Sequence, residues 1–247
     1  MAEDILVERD GHVCVITINR PRIMNSLDFT ANDKLVEAWR NFADDPDLRV
    51  AMITGSGAKA FCAGADLKTY TMSFATTSAP EFRKKYTNGP GIGGITRNLH
   101  VYKPIVAAIN GYAFGGGLEL ALSCTFRIAT PNAKVGLPEI RLGLTPGYGG
   151  TQRLPRVVGE ARALEMIMSG RTVDANEALG IGLVSEVVTL ERLWERADEL
   201  GRQIAAKLIR GTASSSLKAR FIQEAQITGK LEHPSIVPVH ELGMTED

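Results

Sequence analysis

In AFGGGLEL, residues 113–120, three consecutive glycines precede a glutamate that then runs into the apolar segment ALSC. Glycine inside a helix costs about 1 kcal/mol relative to alanine, and an unpaired buried carboxylate costs far more, so a plain surface helix favours neither. If Gly115 to Gly117 lead into a helix, its free N–H groups and the positive end of its dipole point at whatever sits there. A second stretch, AFCAGADLK (60–68), repeats the demand for small residues directly after the apolar run VAMITG. A tight turn that needs Gly64 explains one of these small residues, whereas a backbone bringing an N–H against a ligand atom explains several. Two such patches can form an oxyanion hole, which stabilises negative charge developing on an oxygen during reaction.

Two carboxylates lie near these patches in sequence. Glu119 has Ser123 four residues on, and the pair can form a polar stripe facing water. Against that, Leu118, Leu120, Ala121 and Leu122 surround Glu119, and it lies within a turn of the candidate donors. Glu139, between Pro138 and Ile140, precedes a loop holding Gly143, Gly147, Gly149 and Gly150; composition alone favours a capping or salt-bridging role beside Arg141. His12, His100, His233 and His240 have no metal-ligand spacing, and no Ser or Cys sits in a nucleophile elbow, so metal and covalent catalysis have little support. Two glycine patterns suggest a nucleotide but do not hold up: Gly55, Gly57 and Ala60 are followed by FCAG where a helix should open, and GPGIGG (89–94) follows no strand.

The elements that must position these groups are mixed. ILVERDGHVCVITIN alternates around Asp10-Gly11 and predicts a hairpin with a tight turn. Leu35, Trp39 and Phe42 recur at helical spacing between Leu27 and Asp45, and Asp44-Asp45-Pro46 ends that helix. VAMITG, PIVAAIN (104–110) and FRIAT (126–130) read as buried strands, with a helix after the glycine run. Residues 159–168 and 190–209 read as amphipathic helices, the second with Leu193, Ala197, Leu200 and Ile204 on one face. The region 69–100 is the least regular, with a brief helical stretch near EFRKKY, and has the length of a ligand wall. This alternation predicts α/β layers with short crossovers.

The chain of 247 residues carries 28 basic and 28 acidic side chains, so no global field points to nucleic acid or an anionic membrane. Cys14, Cys62 and Cys124 form no disulfide framework, and no signal peptide or membrane span is evident, which predicts a soluble cytoplasmic protein.

The segments NRP (19–21), AFCAGADLK, KPIVAAINGYAFGGGLELAL (103–122) and GLPEIRLGLTPGYGGTQRLPRVVG (136–159) strongly resemble enoyl-CoA hydratases of the crotonase superfamily, from about Ile5 to about Ala205. The resemblance implies a spiral of ββα units whose strands make two sheets, over residues 1–190, followed by a helical oligomerisation region, 191–247, that builds homotrimers or hexamers. It implies that the N–H groups of Ala65 and Gly116 form the oxyanion hole and that Glu119 and Glu139 are the catalytic pair. Arg22, Met24, Ala63, Asp66, Leu67, Lys68 and Gly147 fall on segments that contact the substrate or its coenzyme A. The implied reaction adds water to an enoyl-CoA, with no cofactor beyond the coenzyme A of the substrate. Isomerisation, thioester hydrolysis and a catalytically idle binding protein are the alternatives. The chain departs from the family in having Arg22, Ile23 and Met24 after NRP, where Lys and Ala are common, and in ending at HELGMTED where a basic helical tail is expected, so that the tail is read as shortened.

Overall fold

The computed structural model describes residues 3–82, 84 and 88–211. Strands β1 (Ile5–Asp10) and β2 (Val13–Ile18) form an antiparallel hairpin in which Asp10 faces Val13. The turn is therefore Gly11-His12, one residue later than the sequence suggested, because Asp10 stays in the ladder and Gly11 supplies the positive φ, 57°. Helix α1 (Phe29–Asp44) starts where the Asp28 carboxylate accepts from the amide of Ala31, and it stops before Pro46. Its apolar face buries Leu35, Trp39 and Phe42 as their spacing requires.

A unit of two strands and a helix follows, beginning with β3 (Val50–Gly55), β4 (Ala60–Cys62) and α2 (Leu67–Thr76). Short helix α3 (Ala79–Phe82) leads toward the second unit: β5 (Ile105–Ile109), β6 (Tyr112–Phe114) and α4 (Gly116–Ser123). The third comprises β7 (Phe126–Ala129), β8 (Lys134–Gly136) and α5 (Gly150–Val158). The first strand of each unit joins one sheet, ordered β1-β2-β3-β5-β7 and closed by β10 (Glu186–Val187). The second strand joins another, ordered β4-β6-β8 and closed by β9 (Thr172–Asp174). This is the crotonase spiral, and its neighbouring units run parallel within both sheets. Helices α6 (Glu160–Ser169), α7 (Ala175–Gly180) and α8 (Leu190–Gly211) complete the described chain.

Alternate residues of the central strands serve two cores. Ala51, Ile53, Ala107 and Ile109 face the main core, whereas Val50, Met52, Val106 and Ala108 face Leu193 and Ala197 of α8. Full burial of a leucine stabilises by about 1.5–3 kcal/mol, so α8 is anchored to its own chain as far as Leu200, which packs partly buried on the same cluster. The sequence pattern missed β4, β6 and β8, each three residues long and too short to show a period, and it left α2 and α5 as irregular chain. Asp66 caps α2 by accepting from the amide of Lys68, a signal present in ADLK. Of the expected oligomerisation region, 191–247, helix α8 covers the part to Gly211, and residues 212–247, with the tail read as shortened, lie outside the described residues.

Candidate active site

Helix α4 emerges from β6 with its first turn packed against the neighbouring unit. A Cβ at Gly117 would lie 1.9 Å from the Cys62 carbonyl oxygen, and one at Gly116 would lie 2.5 Å from Ile92 Cδ1. Gly64, at φ 90°, has room for no Cβ either: it would sit 2.8 Å from the Phe114 carbonyl oxygen and 3.0 Å from the Gly116 nitrogen. The small residues thus let β4, the turn after it and the start of α4 touch, a reason internal to the fold that the sequence pattern had suggested was a ligand. The same contact sets the turn at Gly64, which Ala65 follows, close to the Gly116 nitrogen. Among the described residues, the N–H groups of Ala65 and Gly116 donate to no backbone or side-chain acceptor, as helix geometry dictates for Gly116 at the first position of α4.

Glu119 is 1% exposed. Its Oε1 accepts from the amides of Tyr148 (2.7 Å) and Gly150 (2.8 Å), and no hydrogen bond reaches Oε2 among the described residues. Gly150 opens α5, so the carboxylate lies against a helix N-terminus that favours negative charge. Burial nevertheless raises its pKa, opposed by the two amides and by the guanidinium groups of Arg153 and Arg97. Ser123 does not join Glu119 in a water-facing stripe: its hydroxyl donates to the Glu119 backbone carbonyl, 2.9 Å away.

Glu139 lies in the 3-10 turn Pro138–Leu142, and the position of a Cβ on Gly115 would be 3.2 Å from its Oε1. It forms no ion pair with Arg141 among the described residues, and its Oε2 is buried without a hydrogen-bond partner. Burial pushes its pKa up to about 7; its own amide opposes this and the charge of Glu119 adds to it. Glu139 thus lies beside Gly115, whose carbonyl accepts from the Glu119 amide (3.0 Å), and the two carboxyl groups sense one another. An unfolded glutamate ionises near about 4.3, whereas folded Glu139 keeps its proton to about 7. The stability this group contributes is therefore full below the unfolded value and is lost as pH rises through that window. Urea unfolding across the window should show wild type losing stability with rising pH relative to Glu139→Gln, and parallel curves would contradict the assignment.

Of the other expected site residues, Ala63, Asp66, Leu67 and Lys68 follow one another along the turn into α2, and Met24 is bonded to that turn. Met24 accepts the amide of Ala63 on its carbonyl (3.0 Å), and its side chain is exposed, as is that of Arg22. Leu67 and Lys68 are exposed on the first turn of α2, whereas Asp66 is engaged as its cap. The Gly147 carbonyl accepts from Arg97. Sequence reasoning missed Arg97, Tyr148, Gly150 and Arg153; the pair Gly149-Gly150 opening an amphipathic segment was the available signal for the last two. Burial pushes Cys62 and Cys124 up to about 12, far from a reactive thiolate.

A sequence profile of the family described as enoyl-CoA hydratase/isomerase matches residues 8–233. (E)-Benzylidenesuccinyl-CoA hydratase of Thauera aromatica is 40% identical over 232 residues, 93% of this chain and 85% of that protein. Carnitinyl-CoA dehydratase of Salmonella typhi is 44% identical over 205 residues, 83% of this chain and 75% of that protein. The crystal structure of an enoyl-CoA hydratase from Bacillus anthracis matches with a TM-score of 0.74 at 37% identity, covering 92% of this chain and 83% of that one. No described helix is long and apolar enough to cross a membrane. With its motifs, its spiral of two-strand-and-helix units and these matches in agreement, the chain belongs to the enoyl-CoA hydratase/isomerase family of the crotonase superfamily.

Proposed function

We propose that the protein is a hydro-lyase that adds water reversibly across the α,β double bond of an enoyl-CoA thioester. The observation that carries this reading is the carboxyl pair: Glu119, buried in the first turn of α4 and held on two amides, and Glu139 beside Gly115 with one oxygen buried and unpartnered among the described residues. The thioester oxygen sits on the Ala65 and Gly116 amides, whose pull is strongest as enolate charge develops. The Glu119 carboxylate takes a proton from water as the water oxygen bonds to the β carbon. The Glu139 carboxylic acid gives its proton to the α carbon, and solvent restores both groups after product leaves. Arg22 and Lys68, exposed on the two segments that the bond between Met24 and Ala63 joins, supply positive charge for the coenzyme A phosphates.

The experiment is loss of conjugated-thioester absorbance with crotonyl-CoA. Turnover is expected without added metal or redox cofactor, and kcat/KM for hydration should fall above about pH 7 as Glu139 loses its proton. Dehydration of 3-hydroxybutyryl-CoA should follow the same pH profile in kcat/KM, because both directions use the singly protonated carboxyl pair and the overall reaction takes up no proton. Absence of hydration, with isomerisation, thioester hydrolysis or binding alone in its place, would refute the assignment. We propose also that the protein assembles as a homotrimer or hexamer through the region from residue 191, a reading supported by the family resemblance and tested by light scattering at micromolar concentration.

A further inference from the structure

We propose that Asn25, a buried residue far along the chain from the carboxyl pair, is the positioning residue for the Ala65 amide. This rests on the reading of that amide as a donor to the thioester oxygen, and it names what gives the donor its direction. Direction matters because such a donor assists the reaction only when it points at the place where charge develops.

Three of the four amides in the turn 63–66 are already engaged. That of Ala63 donates to the Met24 carbonyl (3.0 Å), that of Gly64 to Cys62 Sγ (3.4 Å) and that of Asp66 to the Leu27 carbonyl (2.8 Å). Leu27 also donates its own amide to the Gly64 carbonyl (2.8 Å), so its two bonds bracket Ala65 in a parallel bridge. Successive peptide groups of extended chain point to opposite sides. The bridge therefore turns the Ala65 N–H away from Leu27 and leaves it as the one amide of the turn without an acceptor among the described residues.

The segment 20–27 is the other half of that bridge, and Asn25 fastens it. Asn25 is 0% exposed. Its Oδ1 accepts from the Arg20 amide (2.9 Å), and its Nδ2 donates to the carbonyls of Ala60 (2.7 Å) and Ser56 (3.1 Å). Ala60 opens β4, so this side chain ties the segment to the strand that runs into the turn, while Met24 and Leu27 tie it to the turn itself. Met24 and Asn25 are both left-handed, with φ of 53° and 55°. Asparagine accepts that region more readily than most residues, and a methionine stays there only where its surroundings enforce it. Asn110 offers a contrast of like burial, 1% exposed. Its Nδ2 donates to the carbonyls of Gly55 (2.7 Å) and Gly57 (2.5 Å), and among the described residues it has no hydrogen bond to the segment 20–27 or to the turn 63–66.

The test is infrared difference spectroscopy of bound butyryl-CoA with an isotope-labelled thioester carbonyl, a saturated probe that needs no turnover, on wild type, Asn25→Gly and Asn110→Gly. Glycine permits the left-handed backbone, so Asn25→Gly removes the side-chain bonds and keeps the conformation accessible. Binding to wild type should lower the carbonyl frequency, as donors polarise the bond. Asn25→Gly should return it part of the way toward its value in water, and Asn110→Gly should not. With crotonyl-CoA, kcat of Asn25→Gly should fall by about 10- to 100-fold with KM little changed, the cost of a misplaced donor. Asn110→Gly should lose stability and keep kcat per folded molecule near wild type. Equal effects of the two variants, or an unchanged frequency in folded Asn25→Gly, would overturn the proposal. If Asn25→Gly fails to fold, Asn25→Asp decides, since it keeps the size, the left-handed preference and the Arg20 contact and loses the amide donor. Absence of any shift in wild type would overturn this inference and the oxyanion reading together. A shift that depends on Asn25 in a protein that does not hydrate crotonyl-CoA would support the inference and refute the hydratase reading alone.

Discussion

Glu119→Gln and Glu139→Gln should each lower turnover of crotonyl-CoA by about 100-fold or more, the usual contribution of a positioned acid or base. The amide keeps the shape of each side chain and removes its proton chemistry, so thioester binding should largely survive. The two losses should not multiply. One carboxyl takes a proton while the other gives one in the same addition, and the groups sense each other's charge, so the double variant should lose much less than the product of the single losses. A Glu119→Gln variant that hydrates normally while Glu139→Gln does not would remove Glu119 from water activation and favour a single-carboxylate mechanism. Retention of full activity by both would reduce the pair to structural groups, and the orphaned Glu139 oxygen would then need another explanation.

The second large effect concerns folding. Gly117→Ala should destabilise the protein by about 3 kcal/mol or more, because the new methyl would lie 1.9 Å from a main-chain oxygen, that of Cys62, which cannot turn aside as a side chain can. Gly116→Ala should cost less, since the atom it meets at 2.5 Å is the end of the Ile92 side chain. Ile92→Val removes that methyl and should recover part of the Gly116→Ala loss, while it should do nothing for Gly117→Ala. Chemical unfolding of the single and combined variants checks this. Equal, small effects at both positions would mean that α4 is not packed against β4 as closely as described. The same geometry makes Gly116→Val unsuitable for testing the oxyanion donor alone, since it disturbs the wall that Ile92 belongs to.

Much of this was legible in the sequence, for reasons that remain local. Buried strands such as VAMITG and IVAAI are continuous apolar runs, and α1, α6 and α8 carry a helical period, so their type follows from neighbours in the chain. The crotonase motifs were also legible, and with them Glu119 and Glu139 as candidates. The strands β4, β6 and β8 were not, because three residues give no period and their pairing is with segments far along the chain. Nor could the sequence decide whether Glu119 faces water beside Ser123 or an interior site. That depends on the amides of Tyr148 and Gly150, roughly thirty residues away, being delivered to Oε1 by the start of α5. The glycines showed that something approaches the backbone, but only the packed structure identifies Cys62 and Ile92 as two of the groups that do. Sequence determined which chemistry-bearing residues exist and which elements carry them. Tertiary structure decided their solvation and their partners, because burial and hydrogen bonding here arise from contacts between units that local periodicity does not encode.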